Sequence, residues 1–168
     1  MAENLISKDV VYSIVGNGAK ESFVSSFVEA VNKYGVKYGI INSASLAAFV
    51  AQCAHESGGF QWYGESGYLK NQDAVNKTKS YYPYYGRGPL QVTHKDFYDA
   101  FSKSFFGDDR AVKNPNLLND PKIGVIASLY WWGVYKPSVR GGKIPVAQEA
   151  QKGNINKVSV YVNGGKTG

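Results

Sequence analysis

NDPKIGVIASLYWWGVY, residues 119–135, is the stretch around which the rest of the chain organises. Asp120 stands where a side chain can accept from the first free backbone N–H groups of a helix, and Pro121 fits the first helical position, where no N–H is needed. From Ile123 onward the residues are apolar on nearly every face of a 3.6-residue period. A helix without a polar face is enclosed on all sides. The segment therefore predicts a buried central helix, with Trp131 and Trp132 in the core, around which other helices pack.

Upstream, a short first helix is expected from about Ser7 to the Gly16-Asn17-Gly18 break. Residues 20–34 place Phe23, Phe27, Ala30, Val31 and Tyr34 at helical spacing, and Gly35 ends that run. Ser43 is the expected N-cap of a helix to about Ser57, whose apolar positions are Leu46, Phe49, Val50, Cys53 and Ala54; Gly58-Gly59 stops it. From Phe60 to Pro89 glycine, asparagine and tyrosine dominate and no helical period persists, so an irregular lobe with a small β-hairpin is expected. Thr93 opens a further helix, with Thr-x-x-Asp close to a capping box. Beyond Pro137 the chain is glycine-rich until INKVSVYVNGG. The expected fold is mainly α, of an α+β kind: a single domain over residues 1–168, with a helical body and a small β/loop lobe flanking a cleft.

At 168 residues, 43% hydrophobic and 19% charged, the chain has the composition of one packed globular unit. No apolar run approaches the roughly 20 residues that span a membrane. The start, MAENLISKDVVYSIVGNG, has neither a basic beginning nor a continuous apolar stretch, so no signal peptide is expected. The net charge of +6 suits an anionic partner such as a cell wall with acidic polymers, but the cations are scattered, with no run that would form a nucleic-acid arm. Cys53, the single cysteine, lies in an apolar helical segment and is expected in the core.

Two carboxylates stand out. Glu56 falls in the last turn of the third helix, beside Phe49 and Cys53 on the helical wheel. Apolar neighbours and the negative helix end both disfavour its charged form, the condition a general acid needs. Glu65 follows nine residues later in FQWYGESGYLKN. A helix-end acid opposite a loop acid is the pairing glycoside hydrolysis requires. A zinc motif is excluded: His55-Glu56 would need a second histidine where Gly59 stands, and the other histidine is His94. No metal and no cofactor is expected. There is no serine nucleophile elbow, and the glycines at 86 and 88 do not extend to a phosphate loop. Aromatics cluster at Trp62, Tyr63, Tyr68, Tyr81, Tyr82, Tyr84 and Tyr85; they suit either the C–H faces of sugar rings or the packing of a glycine-rich loop.

Four ordered blocks resemble glycoside hydrolase family 19 and the related phage endolysins of the lysozyme-like superfamily. AHESGGF at 54–60 is similar to the catalytic-acid motif, and YYGRGPLQVTH at 84–94 to the most distinctive signature. NPNLLNDPKIGVIASLYWW at 114–132 resembles the following loop and central helix, and VNGG at 162–165 the asparagine-glycine-glycine turn. The resemblance implies Glu56 as general acid, Thr93 as the hydroxyl holding the nucleophilic water, Gln91 and Asn163 lining the sugar site, and Arg87 as a structural or electrostatic group near the acid. Tyr85 and Trp62 join them as substrate-binding candidates. Glu65 lies where phage-type members carry their second acid, so Glu56, Glu65 and Thr93 resemble a Glu–Asp/Glu–Thr triad. The family continues past the turn into a further helix, whereas this sequence stops at Gly168.

The implied activity is metal-free hydrolysis of bacterial peptidoglycan glycan strands, with inversion, by an endolysin or virion-associated lysozyme. It would be made in a host cytoplasm, would act on the wall, and would work as a monomer or within a larger assembly. A chitinase, a lytic transglycosylase and an inactive wall-binding module are the alternatives. A nucleic-acid partner and membrane insertion are not expected.

Overall fold

The computed structural model describes residues 4–62, 77–135 and 145–163. Among them the architecture is helical: α1 (Lys8–Val15), α2 (Glu21–Tyr34), α3 (Ser43–Glu56), α4 (Lys95–Phe106), α5 (Arg110–Lys113), α6 (Pro121–Gly133), α7 (Val146–Gln151) and α8 (Ile155–Asn163), with 3₁₀ turns at Val36–Tyr38 and Pro115–Asn119. No helix among these residues is long and apolar enough to cross a membrane.

α6 is the predicted central helix. Asp120 Oδ1 accepts from the Lys122 and Ile123 N–H groups, and Pro121 follows it at the first position. Residues 124–130 and Trp132 are buried, while Trp131 is only half-buried. Around α6 the core divides into two aromatic groups. Phe49 of α3 packs edge-on against Trp132 at 5.2 Å, and Phe27 of α2 contacts both Phe49 and Phe60. On the other side Phe97 and Phe101 of α4 pack against Tyr130. The two groups tie α2, α3 and α4 to one helix. Cys53 is fully buried in this core, and burial pushes its thiol well up; it packs as a small apolar residue.

Local signals place most helix ends, with two shifts of one residue. The cap of α3 is Asn42 rather than Ser43: Asn42 Oδ1 accepts from Ser45 N–H and Ser45 Oγ accepts from Asn42 N–H, a reciprocal box that Ser43 cannot make from inside the helix. The cap position of α4 is His94 rather than Thr93, and no side chain caps it. Thr93 Oγ1 instead donates to the Gln91 carbonyl at 2.8 Å. α7, which was expected to be loop, is too short to show a period, yet it buries Val146, Ala147 and Ala150.

The expected β-hairpin is represented, among the described residues, by one antiparallel bridge between Arg87 and Val92. It closes a tight turn in which Gln91 N–H reaches the Gly88 carbonyl. The remainder of the expected lobe, residues 63–76, lies outside the described residues.

At the far end of α6 the turn through Tyr38 lies directly on Gly133. A methyl group there would stand 2.2 Å from the Tyr38 carbonyl oxygen. Gly133→Ala should therefore lower stability by about 1–3 kcal/mol, the usual cost of overpacking. Urea unfolding should show a lower midpoint at unchanged slope; an unchanged midpoint would refute this close approach.

Candidate active site

Glu56 closes α3, and its backbone position follows from the capped helix behind it and the Gly58-Gly59 break ahead, both glycines at positive φ. Its side chain is half-buried. Desolvation raises its pKa above the ordinary 4.5, with the adjacent His55 opposing. Among the described residues no hydrogen bond or ion pair holds the carboxylate, so burial outweighs the opposing effect of His55. The direction is the one predicted for a general acid.

The 84–94 segment is fixed to α6 by close contact. A Cβ at Gly88 (φ +73) would stand 2.4 Å from the Gly124 carbonyl oxygen, so only glycine lets the turn reach the helix. Leu90 N–H donates to Ser128 Oγ, which donates in turn to the Gly124 carbonyl. Arg87 is 1% exposed. Its guanidinium donates to Asn119 Oδ1, Asn116 Oδ1, Tyr98 OH and the Pro83 and Tyr85 carbonyls, and it lies 3.7 Å from the Tyr85 ring centroid. Arg87 is thus the internal brace of the loop, as its structural reading implied. It does not face a sugar, because its donors are spent inside the protein. Tyr85, 5% exposed and laid on that guanidinium, is likewise part of the brace. Asn116 and Asn119, which complete it, were not singled out from sequence; their place in the same block as the central helix was the available signal.

Gln91 (φ 53) turns back on its own loop, with Nε2 donating to the Gly88 carbonyl at 2.9 Å. Thr93 is half-buried, and because its hydroxyl hydrogen goes to the Gln91 carbonyl, its oxygen lone pairs stay available to accept. Trp62 lies across Gly58, and the Lys20 ammonium sits 5.7 Å from its ring. No hydrogen bond joins Glu56 to Thr93, Gln91 or Arg87 among the described residues. They reach one core from two sides, Glu56 through Phe49 on Trp132 and Thr93 through Leu90 on Ser128.

Asn42 Nδ2 donates to the Gln151 carbonyl at the end of α7, and Gln52 Nε2 reaches Ser159 Oγ of α8 at 3.5 Å, so both short helices lie against α3. Asn163 Nδ2 is buried with no hydrogen-bond partner. The role of Gln52 in this packing was also missed; its position one turn before Glu56 was the clue. Glu65 and the glycines of the VNGG turn lie outside the described residues. Among those residues, no group of three or more His, Cys, Asp or Glu is placed to hold a metal ion.

The same architecture is found in solved structures of chitinases. Chitinase C from Streptomyces griseus superposes with a TM-score of 0.71 at 21% identity, covering 98% of this chain and 82% of that one. A class IV chitinase from Zea mays gives 0.56 at 20% identity, covering 94% and 92%. In sequence, a glycosyl hydrolase family 19 domain-containing protein of Haemophilus influenzae is 25% identical over 86% of this chain and 83% of its own length. An endochitinase of Arabidopsis thaliana is 29% identical over 79% of this chain and 49% of its own length; chitinase 8 of Oryza sativa is 32% identical over 70% and 48%. The chain thus spans about half the length of these two plant relatives. No family model matches it. In fold, in its ordered motifs and in sequence the chain is similar to glycoside hydrolase family 19 proteins.

Two outcomes follow. Arg87→Lys cannot reproduce the planar fork, so Asn116, Asn119 and two carbonyls lose donors, and thermal unfolding should reveal a loss of about 2 kcal/mol or more; a wild-type melting curve would show the brace to be dispensable. Glu56 ionises less readily in the folded chain than in the unfolded one. Its contribution to stability is therefore present below the ordinary 4.5 and is lost as pH rises through the higher folded value. Glu56→Gln removes that loss. Its melting temperature relative to wild type should rise between about pH 4 and about pH 7, and a relative fall over that range would mean the shift has the opposite sign.

Proposed function

We propose that this chain hydrolyses glycosidic bonds in a polymer of N-acetylated amino sugars, with Glu56 as general acid. The observation that carries the reading is Glu56 itself, a carboxylate desolvated at a helix end without a stabilising partner among the described residues, inside AHESGGF. Protonated Glu56 gives its proton to the glycosidic oxygen as the bond to the anomeric carbon breaks. A water attacks the opposite face of that carbon. Thr93 Oγ1, its hydrogen committed to Gln91, accepts a hydrogen from that water and orients it. Glu65 takes the proton that the water gives up. The products are two shorter chains, one carrying the added water, with inversion if the two carboxyls stand about 6.5–9.5 Å apart. Asn163, whose side-chain amide nitrogen is buried without a hydrogen-bond partner among the described residues, is the best supported of the sugar contacts.

The substrate has two readings, each with its own support. The Glu56–Glu65 spacing resembles the phage-type enzymes and favours bacterial peptidoglycan. The names of the relatives favour chitin. Digestion of purified peptidoglycan and of chitin oligomers, with mass spectrometry of the new ends, decides between them; anhydro ends without added water would instead identify a lytic transglycosylase. On whichever polymer is cut, Glu56→Gln should lose at least about 10²-fold in rate with the fold intact. Thr93→Ala should lose less and Thr93→Ser should retain most of the activity. Near-wild-type hydrolysis by Glu56→Gln would sink the mechanism.

A further inference from the structure

Behind the loop that leaves Glu56 lies an open dent of about 680 Å³, lined by Asp9, Tyr12 and Ser13 of α1, by Asn17 and Ala19 of the following turn, and by Glu21 of α2. The loop is the partition. Gly59 packs near Val15, a Cβ on Gly18 would meet Gln61 Nε2 at 3.5 Å, and Lys20 N–H donates to the Phe60 carbonyl. None of the described candidate catalytic or sugar-binding residues lines the dent.

The polar groups around it are largely uncommitted. The side chains of Asp9, Tyr12 and Asn17 make no hydrogen bond or ion pair among the described residues. Glu21 receives both Lys8 Nζ and Ser25 Oγ on Oε1, which leaves Oε2 open. The Tyr12 ring is held in place by the core at its back. An immobilised phenol ring, an amide and carboxylate acceptors form a surface that hydroxyl and acetamido groups can satisfy.

Charge narrows the ligand. The chain carries a net +6, yet this dent bears two carboxylates, so it repels an anion that the rest of the surface attracts. Lys8 neutralises Glu21, leaving Asp9 as the single uncompensated charge. An amine would answer Asp9 but leave Tyr12 and Asn17 idle, whereas a neutral sugar uses all of them. We propose that α1 and the turn after it form a second binding site for the N-acetylated amino-sugar chain, apart from the catalytic residues and dependent on the proposed activity for its substrate class. It would hold an insoluble polymer while Glu56 works on another part of it.

The test is NMR titration of the ¹⁵N-labelled full chain carrying Glu56→Gln, which binds without cutting, with N-acetylglucosamine oligomers and with fully deacetylated glucosamine oligomers. The acetylated oligomer should shift the amides of Asp9, Tyr12, Ser13 and Asn17. Adding Asn17→Ala, or separately Tyr12→Phe, should weaken that response about three- to tenfold while leaving shifts around residue 56 intact. Both changes spare the core, and dispersed spectra would verify the fold. Shifts near residue 56 without any on α1 would overturn the second site and leave the proposed function standing. A response on α1 to the deacetylated oligomer alone would make it a cation site and overturn the assignment. Silence at both places would count against the second site and the proposed substrate together.

Discussion

Arg87 carries a positive charge into the interior of this protein, with no carboxylate beside it among the described residues. A buried charge without a counter-ion is costly unless every donor is bonded, so the protein around Arg87 is obliged to supply acceptors in fixed places. It does so from two side-chain amides of the turn before α6, the phenol of Tyr98 and two carbonyls of its own loop. Each acceptor constrains a different element. Asn116 and Asn119 tie the loop to the entry of the central helix, Tyr98 ties it to α4, and the carbonyls set the path of the chain from 83 to 85. With Gly88 pressed on Gly124, the hairpin that carries Gln91 and Thr93 has little freedom to move against the core.

The Glu56 side is built on the opposite principle. There no described residue partners the carboxylate, and the framework is held by groups elsewhere on α3. Phe49 anchors α3 on Trp132, the Asn42–Ser45 box fixes the helix start, and the contacts from Asn42 and Gln52 hold α7 and α8 against it. A partner for Glu56 would lower its proton affinity and stabilise the charged form, which is the wrong state for a group that has to deliver a proton. Rigidity at a distance and isolation at the carboxyl are therefore compatible demands, met by different residues.

The legible parts of the sequence were those governed by local physics. Asp120-Pro121 and the all-round apolar run gave the central helix, α1 starts within a residue of the expected Ser7, and Glu56 declared its environment through residues three and seven positions earlier on the same face. What failed to show was set by distant partners. Thr93 has the right side chain for a cap, but its hydroxyl is drawn to Gln91 by the turn that the Arg87–Val92 bridge closes. Arg87 and Tyr85 look like surface groups in a polar, glycine-rich string, and only the amides 29 and 32 residues further on show that they are interior. The packing of α7 and α8 on α3 rests on hydrogen bonds between residues more than 100 positions apart, beyond the reach of any periodicity.

The backbone adds an independent indication of where this fold accepts cost. Three non-glycine residues among those described have positive φ: Phe60, Gln91 and His94. Such conformations are disfavoured and persist where the surroundings over-determine them. Phe60 is fully buried against Phe27, with its N–H on Ser57 Oγ and its carbonyl taken by Lys20. Gln91 is held in the turn on Gly88, and the His94 N–H is bonded to the Tyr84 carbonyl. These positions are not scattered. One follows Glu56 by four residues and the other two bracket Thr93. The chain spends its backbone strain beside the two side chains with the best chemical case for a role in hydrolysis, as expected if their exact placement matters more than the relaxed geometry of the loops that carry them.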